Sequence, residues 1–320
     1  MSEQDSPFMI HILPRIAMTR GEFKKIAPRC SIALDGVVKG GPWFCSKTKR
    51  VNFDHHDGVV REATMSTAMQ VYMAIKGGIM DFFQENGKLR IHIYINDTDQ
   101  DTCLAVWYLL HYKLFEGVQS IPHMHRILAL NDRMDVTGGA FPINLSERLL
   151  RERAWIFQPY MDLRKSGILA RANEQILQDN LDAVLHRLDR YLMHDGEEID
   201  LDTRHEILFD SPYFKIVNEI GGTEARCFLF THGMNAYLSL VATRPDGRSV
   251  YTVGRRSQYI PFPVPKLFRD YNELEERKDV VIWDGSDIVG GSGREPCSGV
   301  PWEQLRDRTI WRLRKEKIWM

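Results

Sequence analysis

The segment "KLRIHIYINDTDQDTCLAVWYLLHYKLF", Lys88 to Phe115, constrains this chain more than any other. Apolar side chains alternate at Leu89, Ile91, Ile93 and Ile95, the period of a strand, and stop at an acid-rich turn. From about Thr102 they follow one another densely, as in a buried helix. Strand, acidic loop and helix in that order set an α/β fold, in which functional groups gather at the carboxyl ends of strands. Two shorter runs, "CSIALDG" (30–36) and "RVNFDHH" (50–56), each end in an acid beside a turn signal and predict neighbouring strands. Gly40, Gly41 and Pro42 lie between them and mark a turn or hairpin, not a crossover helix. Residues 63–84, "ATMSTAMQVYMAIKGGIMDFFQ", predict a helix broken near Gly77 and Gly78. "MHRILALNDRMDVTGGAFP" predicts an apolar helical turn ending in Asp132 and Asp135.

Residues 145–200 are helix-rich, polar on one face and apolar on the other, a pattern expected of a connector between domains. From Cys227 the pattern turns to β, with "CFLFT", then "AYLSLVATRPDGRSVYTVGRRS" around a Pro-Asp-Gly turn, and it closes on an amphipathic helix. The expected architecture is a catalytic domain over 1–144 with a mainly parallel sheet, a helical connector over 145–200, and a smaller α/β substrate-binding domain over 201–320.

The 320 residues, 43% hydrophobic and 27% charged, suit a folded chain of two-domain size. A formal net charge of -1 lacks the basic excess that favours long duplex nucleic acid. The five cysteines, at positions 30, 45, 103, 227 and 297, are odd in number and never form C-x-x-C, which argues against a disulfide framework or a thiolate zinc site. No apolar run is long enough to span a bilayer and the N-terminus does not read as a secretion signal, so the expected location is cytoplasmic, with no membrane partner.

The chemistry concentrates at the ends of the apolar runs. Asp35 ends one; Asp54, His55, His56 and Asp57 end the next; Asp97, Asp99 and Asp101 follow the third; Asp132 and Asp135 end a helical turn. So many carboxylates brought together repel unless cations neutralise them, and aspartate oxygens with a minority of imidazoles suit Mn²⁺ or Mg²⁺. One acid of "NDTDQDT" would suffice to cap the helix after it; three favour ligation. A calcium loop is disfavoured, since Thr102 and Tyr108 stand where an EF-hand needs Gly and Glu. Of Asp132 and Asp135, one is expected to bind metal and the other to cap or pair; Asp132 is preferred because it ends the apolar run directly.

Asp54-His55-His56 after a strand, with Asp97-Asp99-Asp101 before an apolar helix, resembles the DHH phosphoesterase superfamily. Members include single-strand exonucleases, oligoribonucleases, cyclic-dinucleotide phosphodiesterases and manganese pyrophosphatases. Asp35, 19 positions before Asp54, resembles the family's lone aspartate. The family's motif order is D-x-D-x-D loop, lone Asp, DHH, final Asp; here the D-x-D-x-D-like loop comes after both, so the resemblance implies a circularly permuted catalytic domain. It further implies two Mn²⁺ or Mg²⁺ ions held by Asp35, Asp54, His55, His56, Asp97, Asp99, Asp101 and Asp132 or Asp135. His55, His56 and Asp57 would supply the catalytic groups.

In the second domain the resemblance is weaker. "YTVGRRSQY" (Arg255, Arg256, Ser257) and "VGGSGREPCSGV" (Gly290, Gly291, Ser292, Gly293, Arg294) match an Arg-Ser strand and a Gly-rich loop that hold phosphate or base, by bidentate arginine and backbone N–H groups. His232 is a further candidate substrate contact. The expectation is hydrolysis of a phosphodiester in a nucleotide or short single-stranded oligonucleotide, in the cleft between domains; a homo-oligomer is compatible with it. The alternative is a non-catalytic nucleotide-binding or regulatory module, since the family's Gly-Gly-Gly-His loop reads Gly-Gly-Ser-Gly-Arg here.

Overall fold

The computed structural model describes residues 6–293 and 295–319. Its fold is mixed α/β, organised around two sheets in two compact units.

The first unit comprises the chain up to Val59, Ala63–Val136 and Arg151–Ile199. Its sheet contains β1 (Phe8–Ile12), β2 (Ser31–Leu34), β3 (Trp43–Cys45), β4 (Arg50–Phe53) and β5 (Ile91–Ile95), in the spatial order β1-β5-β2-β4-β3. All neighbours run parallel except β3, an additional strand that pairs antiparallel with β4 across a turn at 46–49, so Gly40, Gly41 and Pro42 lead into β3 and do not form a hairpin between β2 and β4. All four residues of β2 are buried, as befits the centre of a parallel sheet covered on both faces. Because β5, β2 and β4 are parallel neighbours about 4.8 Å apart, the three acidic segments following them emerge side by side along one edge.

Helices frame that edge. The expected 63–84 helix is two pieces, α2 (Thr67–Lys76) and α3 (Ile79–Phe83), separated at Gly77 and Gly78, the latter left-handed at φ 83°. Helix α4 (Gln100–Leu110) is buried from Asp101 to Leu109 and packs between α2 and the later helix α7 (Glu174–Leu192). Helix α5 (Pro122–Val136) carries the last two aspartates. Helix α1 (Arg20–Ile26) is closed at its start by a Thr19–Glu22 capping box.

The expected connector is not a separate element. From Arg151, helix α6 (Arg148–Lys165) belongs to the first unit, and so does α7. Their apolar faces bury Trp155, Ile156, Phe157 and Tyr160, and Leu177, Leu181, Val184 and Leu188, while α7 also touches β1. An amphipathic helix that buries its whole apolar stripe is a layer of a domain, which is why the reading as a connector fails. The 144/145 boundary shifts accordingly; Thr137–Leu150 joins the second unit, whose main body begins at Asp200, beside the expected boundary at 201.

The second unit holds a six-stranded sheet in the order β10-β11-β9-β8-β7-β6. The strands are β6 (Glu206–Asp210), β7 (Lys215–Asn218), β8 (Ala236–Thr243), β9 (Ser249–Arg255), β10 (Trp283–Gly285) and β11 (Val289–Ser292). Only β7 and β8 pair in parallel, joined through α8 (Thr223–Thr231). "CFLFT", expected as strand, is therefore the end of a helix. Ala225 and Arg226 before it and Cys227, Leu229 and Phe230 within it are buried at helical spacing, and a short apolar run alone does not separate the two states. Helices α9 (Val264–Leu274) and α10 (Trp302–Lys315) close a core around Phe214, Tyr251, Phe268 and Trp283. No helix among the described residues is long and apolar enough to cross a membrane.

Candidate metal centre

Asp35 directly follows β2 and adopts a left-handed backbone at φ 53°, a conformation aspartate tolerates better than most residues. Its N–H donates to Phe53 O, which ties the end of β2 to the end of β4. The carboxylate is fixed on both oxygens: Thr67 Oγ1 donates to Oδ1 (2.9 Å) and Thr102 Oγ1 to Oδ2 (3.0 Å). These threonines sit in the first turns of α2 and α4, so two positive helix ends converge on one buried acid.

The Asp54-His55-His56 turn is organised by Asp54. Its Oδ1 accepts from the backbone of His55 (2.7 Å) and His56 (3.0 Å) and from His56 Nδ1 (2.8 Å), while Gln70 Nε2 donates to its carbonyl. The two imidazoles meet opposite environments: His55 is fully buried and the His56 side chain is 43% exposed. His55 Nε2 lies 2.7 Å from Asp135 Oδ2 and 3.8 Å from Asp35 Oδ1. Neither ring nitrogen of His55 makes an aligned hydrogen bond, an arrangement that costs about 1–3 kcal/mol per buried polar group unless something else satisfies it.

In the loop after β5, Asp97 accepts from Thr98 N (2.8 Å) and Tyr160 OH (3.1 Å). Asp99 caps α4 through Thr102 N (2.9 Å), so the capping role weighed for this loop is filled by one acid of three. Asp101, in the first turn, faces away from its own helix and accepts from Ala68 N at the start of α2 and from Asn131 Nδ2 (3.0 Å). Asp101 is almost fully buried. Burial, then Asp135, Asp35 and Asp99, hold its carboxyl well above the ordinary carboxylate range. Burial, followed by Asp35, Asp97 and Asp135, does the same to Asp99.

Two sets of ligand atoms, each within 4.8 Å of one another, emerge: Asp35, His55 and His56, and His55, Asp101 and Asp135. They share the buried imidazole of His55. Together they offer three carboxylates and two imidazoles, a mixed oxygen and nitrogen donor set that fits Mn²⁺, while the set of His55, Asp101 and Asp135 has the carboxylate majority that also suits Mg²⁺. Asp54, Asp97 and Asp99 flank these sets and are engaged as described. The preference for Asp132 is corrected: its Oδ1 accepts from Ser66 N (2.7 Å), securing the start of α2, and Asp135 reaches His55. One helical turn after Asp132, Asp135 projects from the same side of α5 one step further along it. Asp57 is exposed and outside both sets.

The glycine-rich cradle expected in the second unit is a strand. Gly290 and Gly291 pair with Val253 and Thr252 of β9 on one side and with Gly285 and Asp284 of β10 on the other, which occupies the backbone groups a phosphate would need. Ser292 Oγ accepts from Tyr251 N. Arg255 donates to the carbonyls of Ile260 and Asp287 and so ties its own loop together. His232 ends α8, stacks on Phe228 and has Nδ1 2.8 Å from that residue's carbonyl. Arg256 and Ser257 follow β9 and are partly exposed. Gly293 carries no Cβ because one would meet Pro296 O at 2.6 Å. Arg294 lies outside the described residues.

Sequence reasoning missed Thr67, Thr102, Asn131, Arg153 and Tyr160, which hold the acids in place. Only Thr102, three residues after the expected cap Asp99, carried a local signal. No family model, curated protein or solved structure gives a significant match to this chain.

Proposed function

We propose that the first unit is a divalent-metal-dependent phosphoesterase centre that hydrolyses a phosphodiester of a nucleotide or short oligonucleotide, on a permuted DHH-like arrangement. The observation that carries the reading is His55: a fully buried imidazole without an aligned hydrogen bond at either nitrogen, its Nε2 2.7 Å from Asp135 Oδ2, among Asp35, Asp101 and Asp135. A histidine buried for packing alone would find a carbonyl or hydroxyl; one ringed by carboxylates suits a cation.

Asp35, His55, Asp101 and Asp135 would hold the ions, with His56 beside Asp35. Mn²⁺ or Mg²⁺, two ions in the reading adopted, supplies the lowered pKa of a water and the stabilisation of charge developing at phosphorus. Asp54 supports His56. By accepting from Nδ1, it fixes the ring's tautomer and orientation, leaving Nε2 as the nitrogen that exchanges a proton with the leaving oxygen. Thr67 and Thr102 keep Asp35 from rotating, and Asp99 secures the loop by capping α4.

The test is hydrolysis of bis-p-nitrophenyl phosphate and of a short 5′-labelled oligonucleotide with Mn²⁺, Mg²⁺ or EDTA, using wild type and His55→Ala. Turnover that needs metal and vanishes in the variant supports the reading. Two bound Mn²⁺ ions without turnover of either probe point to a narrow small-nucleotide substrate, one bound ion favours the non-catalytic nucleotide module, and a protein that binds no Mn²⁺ excludes the enzyme reading.

A further inference from the structure

We propose that helix α6 orients the Asp97–Asp101 loop for divalent metal, with Arg153 acting on Asp101 through the amide of Asn131 and Tyr160 acting directly on Asp97. The inference rests on reading the acidic edge as a metal centre, and it gives the expected connector helix a role in that centre.

Arg153 is 8% exposed and Asn131 is fully buried. Arg153 Nη2 donates to Asn131 Oδ1 at 2.9 Å, and Asn131 Nδ2 donates to Asp101 Oδ1 at 3.0 Å. Both ends of the amide are committed, so its orientation is fixed: turned over, it would set N–H against the guanidinium and oxygen against the carboxylate. The cation polarises the amide, which strengthens the bond to Asp101 in a medium of low dielectric. Asp101 is thereby held on one oxygen from α5 while Ala68 N bridges both oxygens from α2.

Seven residues along α6, about two turns and hence the same face, Tyr160 OH donates to Asp97 Oδ2 at 3.1 Å. The two tethers grip opposite ends of one five-residue segment, the loop after β5 and the start of α4, that carries three of the acids. Arg153 also packs over Phe157, 5.2 Å from the ring centre, so a purely structural role is the competing account and the experiment must separate the two.

The deciding measurement is calorimetric titration of the chelator-stripped full chain with Mn²⁺, beside thermal unfolding of each variant without metal. Arg153→Met and Asn131→Leu are expected to weaken Mn²⁺ binding about 10–100-fold, the usual cost of losing an outer partner of a metal ligand. Arg153→Lys, which keeps a cation able to donate to Asn131, is expected to recover most of it. Folded Arg153→Met or Asn131→Leu protein that binds Mn²⁺ like wild type overturns the proposal. If neither folds, Tyr160→Phe, which removes one hydroxyl, decides: weakened Mn²⁺ binding supports the role of α6 and wild-type binding overturns it. Absence of Mn²⁺ binding by wild type is a different result, which removes the metal reading itself and the proposal with it.

Discussion

His55 Nε2 and Asp135 Oδ2 stand 2.7 Å apart at the sheet edge, brought together from residues eighty positions apart in sequence. The imidazole has no aligned hydrogen bond, and in the proposed metal centre the two side chains would be ligands around a common point. Substituting either ligand should therefore act on the metal before it acts on the fold. His55→Ala and Asp135→Asn are each expected to lower Mn²⁺ affinity more than about 100-fold, beyond the 10–100-fold range of outer partners. Equilibrium dialysis at fixed protein concentration measures it, and wild-type affinity in both variants would remove His55 and Asp135 from the site.

Asp132 and Asp135, three residues apart on α5, should separate cleanly. Asp132 Oδ1 accepts from Ser66 N at the start of α2, so Asp132→Ala is expected to cost about 0.5–2 kcal/mol, as the loss of a helix-capping interaction does. Its Mn²⁺ stoichiometry should stay at the wild-type value. Urea unfolding together with metal titration checks both halves. Loss of an ion in Asp132→Ala without loss of stability would reverse the assignment of the two aspartates.

The sequence carried the elements on which the site is built. Three apolar runs ending in acids became β2, β4 and β5, and the break at Gly77–Gly78 separates α2 from α3. Gly40, Gly41 and Pro42 end the excursion after β2 without a crossover helix, but the hairpin itself joins β3 to β4 and turns at residues 46–49, while β2 and β4 pair in parallel. These are local signals, each decided within a few residues. What the sequence withheld is what distant residues decide. The competition between Asp132 and Asp135 is resolved by where Ser66 and His55 lie, and neither is a neighbour in sequence. The role of 151–199 depends on which surface receives its apolar stripe. "GGSG" has the composition of a phosphate loop, and only the strands on both sides reveal that its backbone is already used.

Acidity offers a further test, because Asp99 and Asp101 are held well above the ordinary carboxylate range by burial and by one another's neighbours. A folded-state pKa above the unfolded value means that the metal-free folded protein holds protons the unfolded chain releases. The stability this contributes is fully present below the unfolded value and is lost as pH rises through the folded one. In EDTA the protein should therefore melt at a higher temperature near about pH 5 than near about pH 8. Saturating Mn²⁺ should raise the melting temperature most at the higher pH, since metal ligands must be deprotonated to bind. Scanning calorimetry at both pH values, with EDTA and with Mn²⁺, reads the sign directly; a metal-free protein that gains stability as pH rises through this window contradicts the assignment.

Gly291 separates a structural glycine from a phosphate-binding one. A Cβ there would lie 2.1 Å from Tyr251 O, a backbone atom of the adjoining strand that cannot move aside without opening the β9–β11 ladder. Gly291→Ala is therefore expected to destabilise the protein by about 3 kcal/mol, the upper end of what overpacking costs. The damage should be read in unfolding and not in metal binding, because the acids lie on the other sheet. Chemical denaturation monitored by tryptophan fluorescence, sensitive to buried Trp283 across from Ser292 in the adjacent strand, is the direct measure. If Gly291→Ala melts like wild type but binds nucleotide more weakly, the glycine serves a ligand and the ladder is not its reason for being there.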